Sequence, residues 1–129
     1  MRIVPEAEIA ALVTPEDAMA AVRDAFAAMA RGEAGNFPVV REALGGGRQY
    51  GFKSGIDRAG GVLGVKSGGY FPGNDAKGIT NHQSAVLLFD PDTGRPVAMV
   101  GGNLLTALRT AAAAALGLFR ILTEEPSAS

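Results

Sequence analysis

The chain has 129 residues, no cysteine, one histidine, and 12 Lys plus Arg against 13 Asp plus Glu. That length suits one domain that buries about two-thirds of its unfolded surface, and the balanced charge leaves no basic field for nucleic acid to neutralise. Without cysteine there are no disulfides, thiolate nucleophiles or thiolate metal sites, and His82 alone cannot build a multi-histidine metal centre.

The opening MRIVPEAEIA lacks the apolar core of a signal peptide. No run approaches the roughly 18 apolar residues of a membrane span. A cytoplasmic chain with no membrane partner is expected. A short helix is predicted around Glu6 to Leu12. A stronger one starts at Thr14-Pro15-Glu16-Asp17, where Thr14 caps, Pro15 suits the first turn and two acids face the positive end of the helix dipole. Met19, Val22, Phe26 and Met29 then recur at helical spacing, and Gly32 after Arg31 offers a stop.

The period then changes. Phe37 to Glu42 and Gln49 to Ser54 read as strands joined through Leu44-Gly45-Gly46-Gly47, and Val62 to Lys66 reads as a third. Ser84 to Phe89 and Pro96 to Val100 are predicted to pair as a hairpin across Asp90-Pro91-Asp92-Thr93-Gly94, which carries a turn proline and a glycine suited to left-handed backbone. Asn103 is the expected cap of a long alanine-rich helix, LLTALRTAAAAALGLFRIL, and residues 123–129 are expected to fray. The expectation is a single α+β domain over 1–129: N-terminal helices, a mostly antiparallel sheet of about five to six strands and a long C-terminal helix.

Three stretches carry candidate chemistry: VVREAL around Arg41, GVKSGGYFPGN around Lys66 and NLLTALRTAAAAAL around Arg109. Lys66 leaves a strand beside glycines, where backbone must come close to something. Arg109 sits among alanines and leucines, which suits a pocket or subunit interface better than open water. An arginine fork and a lysine point charge from separate segments could converge on one small anion. The plainer readings stand beside this one: Arg41 and Lys53 as solvated strand residues, Lys66 as a strand-end lysine, Arg109 in an ion pair. The glycine runs GGGR and KSGG match neither spacing of a phosphate loop. His82 reads as a hydrogen-bonded structural imidazole, Asp90 and Asp92 as turn residues.

GVLGVKSGGYFPGN at 61–74, NHQSAVLLFDPDTGRPVAMVGGN at 81–103 and LTALRTAAAAA at 105–115, with TPEDAMAAVRDAFAAMARG near the start, together resemble the ornithine cyclodeaminase and mu-crystallin family over nearly the whole chain. The resemblance implies NAD(P)-dependent lyase or oxidoreductase chemistry at the α-carbon of an amino or cyclic imino acid. It places the substrate-binding residues at Arg41, Lys66 and Arg109, with Lys66 also catalytic, and cofactor contacts at Asn81, Arg109 and Thr110. Arg41 and Arg109 would clamp the carboxylate while Lys66, desolvated beside two guanidiniums and so lowered in pKa, would polarise the α-substituent or carry a proton.

Family members continue after LTALRTAA into a Rossmann domain that holds NAD or NADP and carries a catalytic aspartate. No glycine fingerprint follows Leu116 here. The chain is therefore expected to lack the Rossmann domain, not to bind the dinucleotide alone and to be inactive alone. Three readings follow: a truncated substrate-binding and dimerisation portion, a non-catalytic binding or assembly module, or a chain completed by a partner carrying the dinucleotide domain. The family also implies a homodimer built through the sheet.

Overall fold

Thr14 sets the start of the first long helix. Its hydroxyl accepts from Asp17 N at 3.1 Å while the Asp17 carboxylate accepts from Thr14 N at 3.0 Å, a reciprocal capping box with Pro15 in the first turn. This helix, α2 (Pro15–Ala30), follows a short α1 (Glu6–Leu12) and stops at Gly32, whose φ of 74° lets Glu33 N reach back to Ala28 O at 2.9 Å. The third helix, α3, spans Asn103–Thr123. The computed structural model describes residues 1–123, with side chains through residue 116. Most of the expected frayed tail therefore lies outside the described residues.

Seven strands form one sheet: β1 (Arg2–Val4), β2 (Ala34–Asn36), β3 (Val40–Gly45), β4 (Arg48–Asp57), β5 (Val62–Tyr70), β6 (His82–Phe89) and β7 (Pro96–Gly101). Their order is β1-β7-β6-β5-β4-β2, with β3 also on β4. All pairs are antiparallel except β1 on β7. The sheet thus exceeds the expected five to six strands. The two extra ones have three residues each, too few to show an alternating pattern, and Ala-Gly-Asn has no strand propensity of its own.

The expected strand from Phe37 begins only at Val40, because Pro38 has no N–H to give the ladder. Across that break, β2 and β3 share one edge of β4 in succession. The β6–β7 hairpin forms as expected. Asp90 Oδ1 accepts from Asp92 N at 2.8 Å, and Gly94 closes the turn at φ 72°.

Register divides the sheet into two faces. Val4, Val100, Val86, Lys66 and Lys53 are cross-strand partners in one row. Lys66 bonds to α3 from this row, so it faces the helices. The neighbouring row, Ile3, Met99, Leu87 and Val65, faces the other way. On the helix side a small core gathers Ala18 and Val22 of α2 around Ala112 of α3, with Leu108 and Leu116 packed against it. Among the described residues no helix is long and apolar enough to cross a membrane.

Candidate functional site

A cleft of about 760 Å³ opens where α3 crosses the ends of β3 to β6. Its α3 wall is Thr106, Ala107, Thr110, Ala111 and Ala114, positions that share one side of a helix. The alanines have a purpose here: small side chains leave the space open, while Leu108, Ala112 and Leu116 on another side pack towards α2.

The floor is bare backbone at Gly51, Gly68 and Gly69. A Cβ on Gly68 would collide with Gln83 O and stand 2.6 Å from Ser84 Cα. The backbone foreseen to come close to something at Lys66-Ser67-Gly68-Gly69 therefore comes close to its own neighbouring strands.

Lys66 sits on the central strand β5, half-buried, and donates from Nζ to Thr106 Oγ1 at 3.3 Å. Burial, then the ammonium of Lys53, then Arg109 hold its pKa below the ordinary lysine value of 10.5. The sequence reading expected a lysine desolvated beside the guanidiniums of Arg41 and Arg109; burial and Arg109 act in that way, and Lys53 stands where Arg41 was expected.

Arg41 lines the same cleft from β3, which pairs it with Gly51. Arg109 is exposed beside the cleft and does not line it, yet its charge is felt at Lys66. Thr110 lines the wall, with its hydroxyl donating to Thr106 O at 2.9 Å. Asn81 is not in the lining: its Oδ1 accepts from Asp75 N at 3.0 Å and its carbonyl from Phe71 N at 2.8 Å, which pins the loop between β5 and β6. The structure thus brings Arg41, Lys66 and Thr110 together, sets Arg109 beside them and leaves Asn81 in the loop.

Two expectations change. The ring of His82, foreseen as hydrogen-bonded, instead packs 4.9 Å from the Tyr70 ring and makes no hydrogen bond among the described residues. Asn103, foreseen as the cap of α3, spends its side chain on the sheet, accepting from Ser84 N at 2.8 Å and donating to Gln83 Oε1 at 3.0 Å. The carboxylate of Glu6 takes the helix start, accepting from Asn103 N at 3.2 Å and Leu104 N at 2.7 Å.

Lys53, read from the sequence as a solvated strand residue, is exposed and also belongs to the site. It lines the cleft directly opposite Lys66 in the β4–β5 register. The signal was the Arg58-Ala59-Gly60-Gly61 turn, since counting outward equally from it pairs 53 with 66. Among the described residues no Asp or Glu lines this cleft, and no cluster of three His, Cys, Asp or Glu could hold a metal. The chemistry on offer is capture of a small anion, with a poised lysine at its centre.

The sequence model of the ornithine cyclodeaminase/mu-crystallin family matches residues 2–127. Iminosuccinate reductase of Paracoccus denitrificans is 60% identical over 119 residues, covering 92% of this chain and 37% of that protein. Its crystal structure with NAD+ superposes with a TM-score of 0.85 at 61% identity, over 89% of this chain and 36% of that one. Delta(1)-pyrroline-2-carboxylate reductase of Thermococcus litoralis, solved with NADH and L-proline, gives 0.84 at 25% identity, over 88% and 36%. An archaeal alanine dehydrogenase dimer with bound NAD gives 0.81 at 30% identity, over 88% and 34%. The chain therefore spans just over a third of the length of these relatives.

Proposed function

Because the chain belongs to the ornithine cyclodeaminase/mu-crystallin family, we propose that it forms the substrate-binding part of an NAD(P)-dependent enzyme acting at the α-carbon of an amino or imino acid. The observation that carries this reading is the convergence of Arg41 and Lys66, from separate strands, on one cleft without a lining carboxylate. Iminosuccinate, proline and alanine, the compounds in the relatives' names and complexes, all bear a carboxylate on the carbon whose C–N bond reacts. The planar fork of Arg41 suits that carboxylate. Lys66 then meets the nitrogen. Its lowered pKa makes it release a proton more readily than an ordinary lysine, and Thr106 aims its Nζ. Arg109, standing beside the cleft, adds positive field.

A nicotinamide supplies hydride in such chemistry, but the described residues of this chain do not fit its pyrophosphate. α2 opens on its own Thr14–Asp17 capping box and α3 on the Glu6 carboxylate, so both long helices place a negative group where a phosphate would bind. Thr110 is the proposed edge contact with the cofactor, and Asn81 acts through the loop it pins. No hydride step is assigned to these residues. Alone, the chain is expected to bind without turnover.

The sheet face turned away from the helices supports the homodimer. Ile3 is 59% exposed and Met99 39%, in the same row as Leu87 and Val65, and Phe52 on that face is 39% exposed. An assembly module that catalyses nothing would use the same face, so ligand binding separates the two readings. Isothermal titration with L-alanine, L-proline and L-ornithine is expected to show binding that Arg41→Ala weakens at least tenfold, the value of one charge-assisted contact. No heat with any of the three, or equal affinity in the variant, would overturn the substrate-binding reading.

A further inference from the structure

Lys53 and Lys66 stand directly opposite one another on β4 and β5 with their side chains on one face. Like charges so placed destabilise a sheet. Among the described residues neither lysine, nor Arg41, nor Arg109 takes part in an ion pair. A smaller cavity of about 330 Å³ under α2 also touches both lysines and is bordered by Asp57, but that carboxylate accepts from Gly60 N at 2.9 Å and holds the β4–β5 turn.

The cations form a triangle over three neighbouring strands. Arg41 is the partner of Gly51, so it lies diagonally from Lys53, two residues further along β4. Diagonal neighbours in a sheet have Cα atoms about 7–8 Å apart, a separation one small molecule can bridge through two long side chains. A zwitterionic amino acid has one carboxylate, which a single arginine fork can take. With Lys66 engaged at the reacting nitrogen, Lys53 is left without a use.

We infer that Lys53 receives the second carboxylate of a small imino or amino dicarboxylate, the class to which the iminosuccinate of the Paracoccus relative's name belongs, while Arg41 holds the first. The assignment rests on the substrate-binding reading above. Burial leads in lowering the Lys66 pKa and the charges of Lys53 and then Arg109 add to it; a dianion between the cations offsets that added part.

The test is isothermal titration of the whole chain with L-aspartate and with L-asparagine, its neutral isostere. Aspartate is expected to bind about tenfold tighter, the discrimination of one hydrogen-bonded charge. Lys53→Met should abolish that preference, whereas Arg41→Ala should weaken both ligands. Lys53 is exposed, so the variant should fold, with a thermal midpoint no lower than wild type. Equal wild-type affinities, a preference that survives Lys53→Met, or tighter binding of O-phospho-L-serine than of aspartate would each overturn the Lys53 assignment alone. Failure of the wild type to bind either amino acid would overturn the substrate-binding reading, and this inference with it.

Discussion

Removing the Glu6 carboxylate tests how the cleft wall is held. Glu6 lies at the start of α1, yet its two oxygens take the first amides of α3, at Asn103 and Leu104. Glu6→Ala leaves both half-buried donors without their acceptor. A lost helix cap costs about 1 kcal/mol, and loss of the favourable charge at a helix N-terminus adds about 0.5–1 kcal/mol. Two amides and one charge give about 2–3 kcal/mol for Glu6→Ala, and about 1 kcal/mol for Glu6→Gln, which keeps one oxygen acceptor. With an unfolding entropy of about 2.1 cal/mol/K per residue over 129 residues, 2 kcal/mol lowers the thermal midpoint by about 7 °C.

The assay is thermal unfolding followed by circular dichroism, with amide exchange at Asn103 and Leu104 as the local readout. Because Thr106, the partner of Lys66, sits one turn further on, ligand affinity should fall with the cap. A midpoint within 1 °C of wild type for Glu6→Ala, with both amides equally protected, would refute this account of the helix start.

The depressed pKa of Lys66 has a definite sign in stability. Between its folded value and 10.5 the unfolded chain holds more protons on this group, so its contribution rises with pH and is least favourable below that window. Lys66→Met should flatten the rise in alkaline thermal scans, and parallel curves for the two proteins would contradict it. Met99→Glu, placing charge in the middle of the uncovered sheet face, should convert a dimer to a monomer by sedimentation velocity. A wild-type monomer at high concentration would remove the dimer proposal. Gly68→Ala should cost about 3 kcal/mol through overpacking against Gln83 and Ser84, and a variant as stable as wild type would show that the floor can relax.

The parts of the fold that announce themselves locally were legible in the sequence. Thr14 to Asp17, Gly32 and the Asp90–Gly94 turn each fix backbone through contacts within a few residues, and each does so here. What escaped depends on distant partners. The carboxylate on Asn103 N comes from 97 positions earlier, so nothing near Asn103 reveals that its own side chain serves the sheet. β1 and β2 exist only because β7 and β4 offer them an open edge.

The site divides in the same way. Lys66 among its glycines and Arg41 on its strand stood out by residue type, whereas Lys53 looked like any solvated lysine until register set it opposite Lys66. Arg109, conspicuous among alanines, stands exposed nearby because α3 turns its small residues, not its arginine, towards the cleft.

Arg41 and Lys66 are anchored very differently. Lys66 belongs to a strand paired on both sides, while Arg41 rides on β3, which pairs with β4 alone and loses register between Ala43 and Gly45. Every residue from Arg41 to Tyr50 is exposed. A ribbon with so little buried surface opens locally at small free-energy cost. The grip on an anion is therefore set as much by how firmly this arm is steadied as by the cations themselves. Any neighbour resting on its outer side would tighten binding without touching the guest.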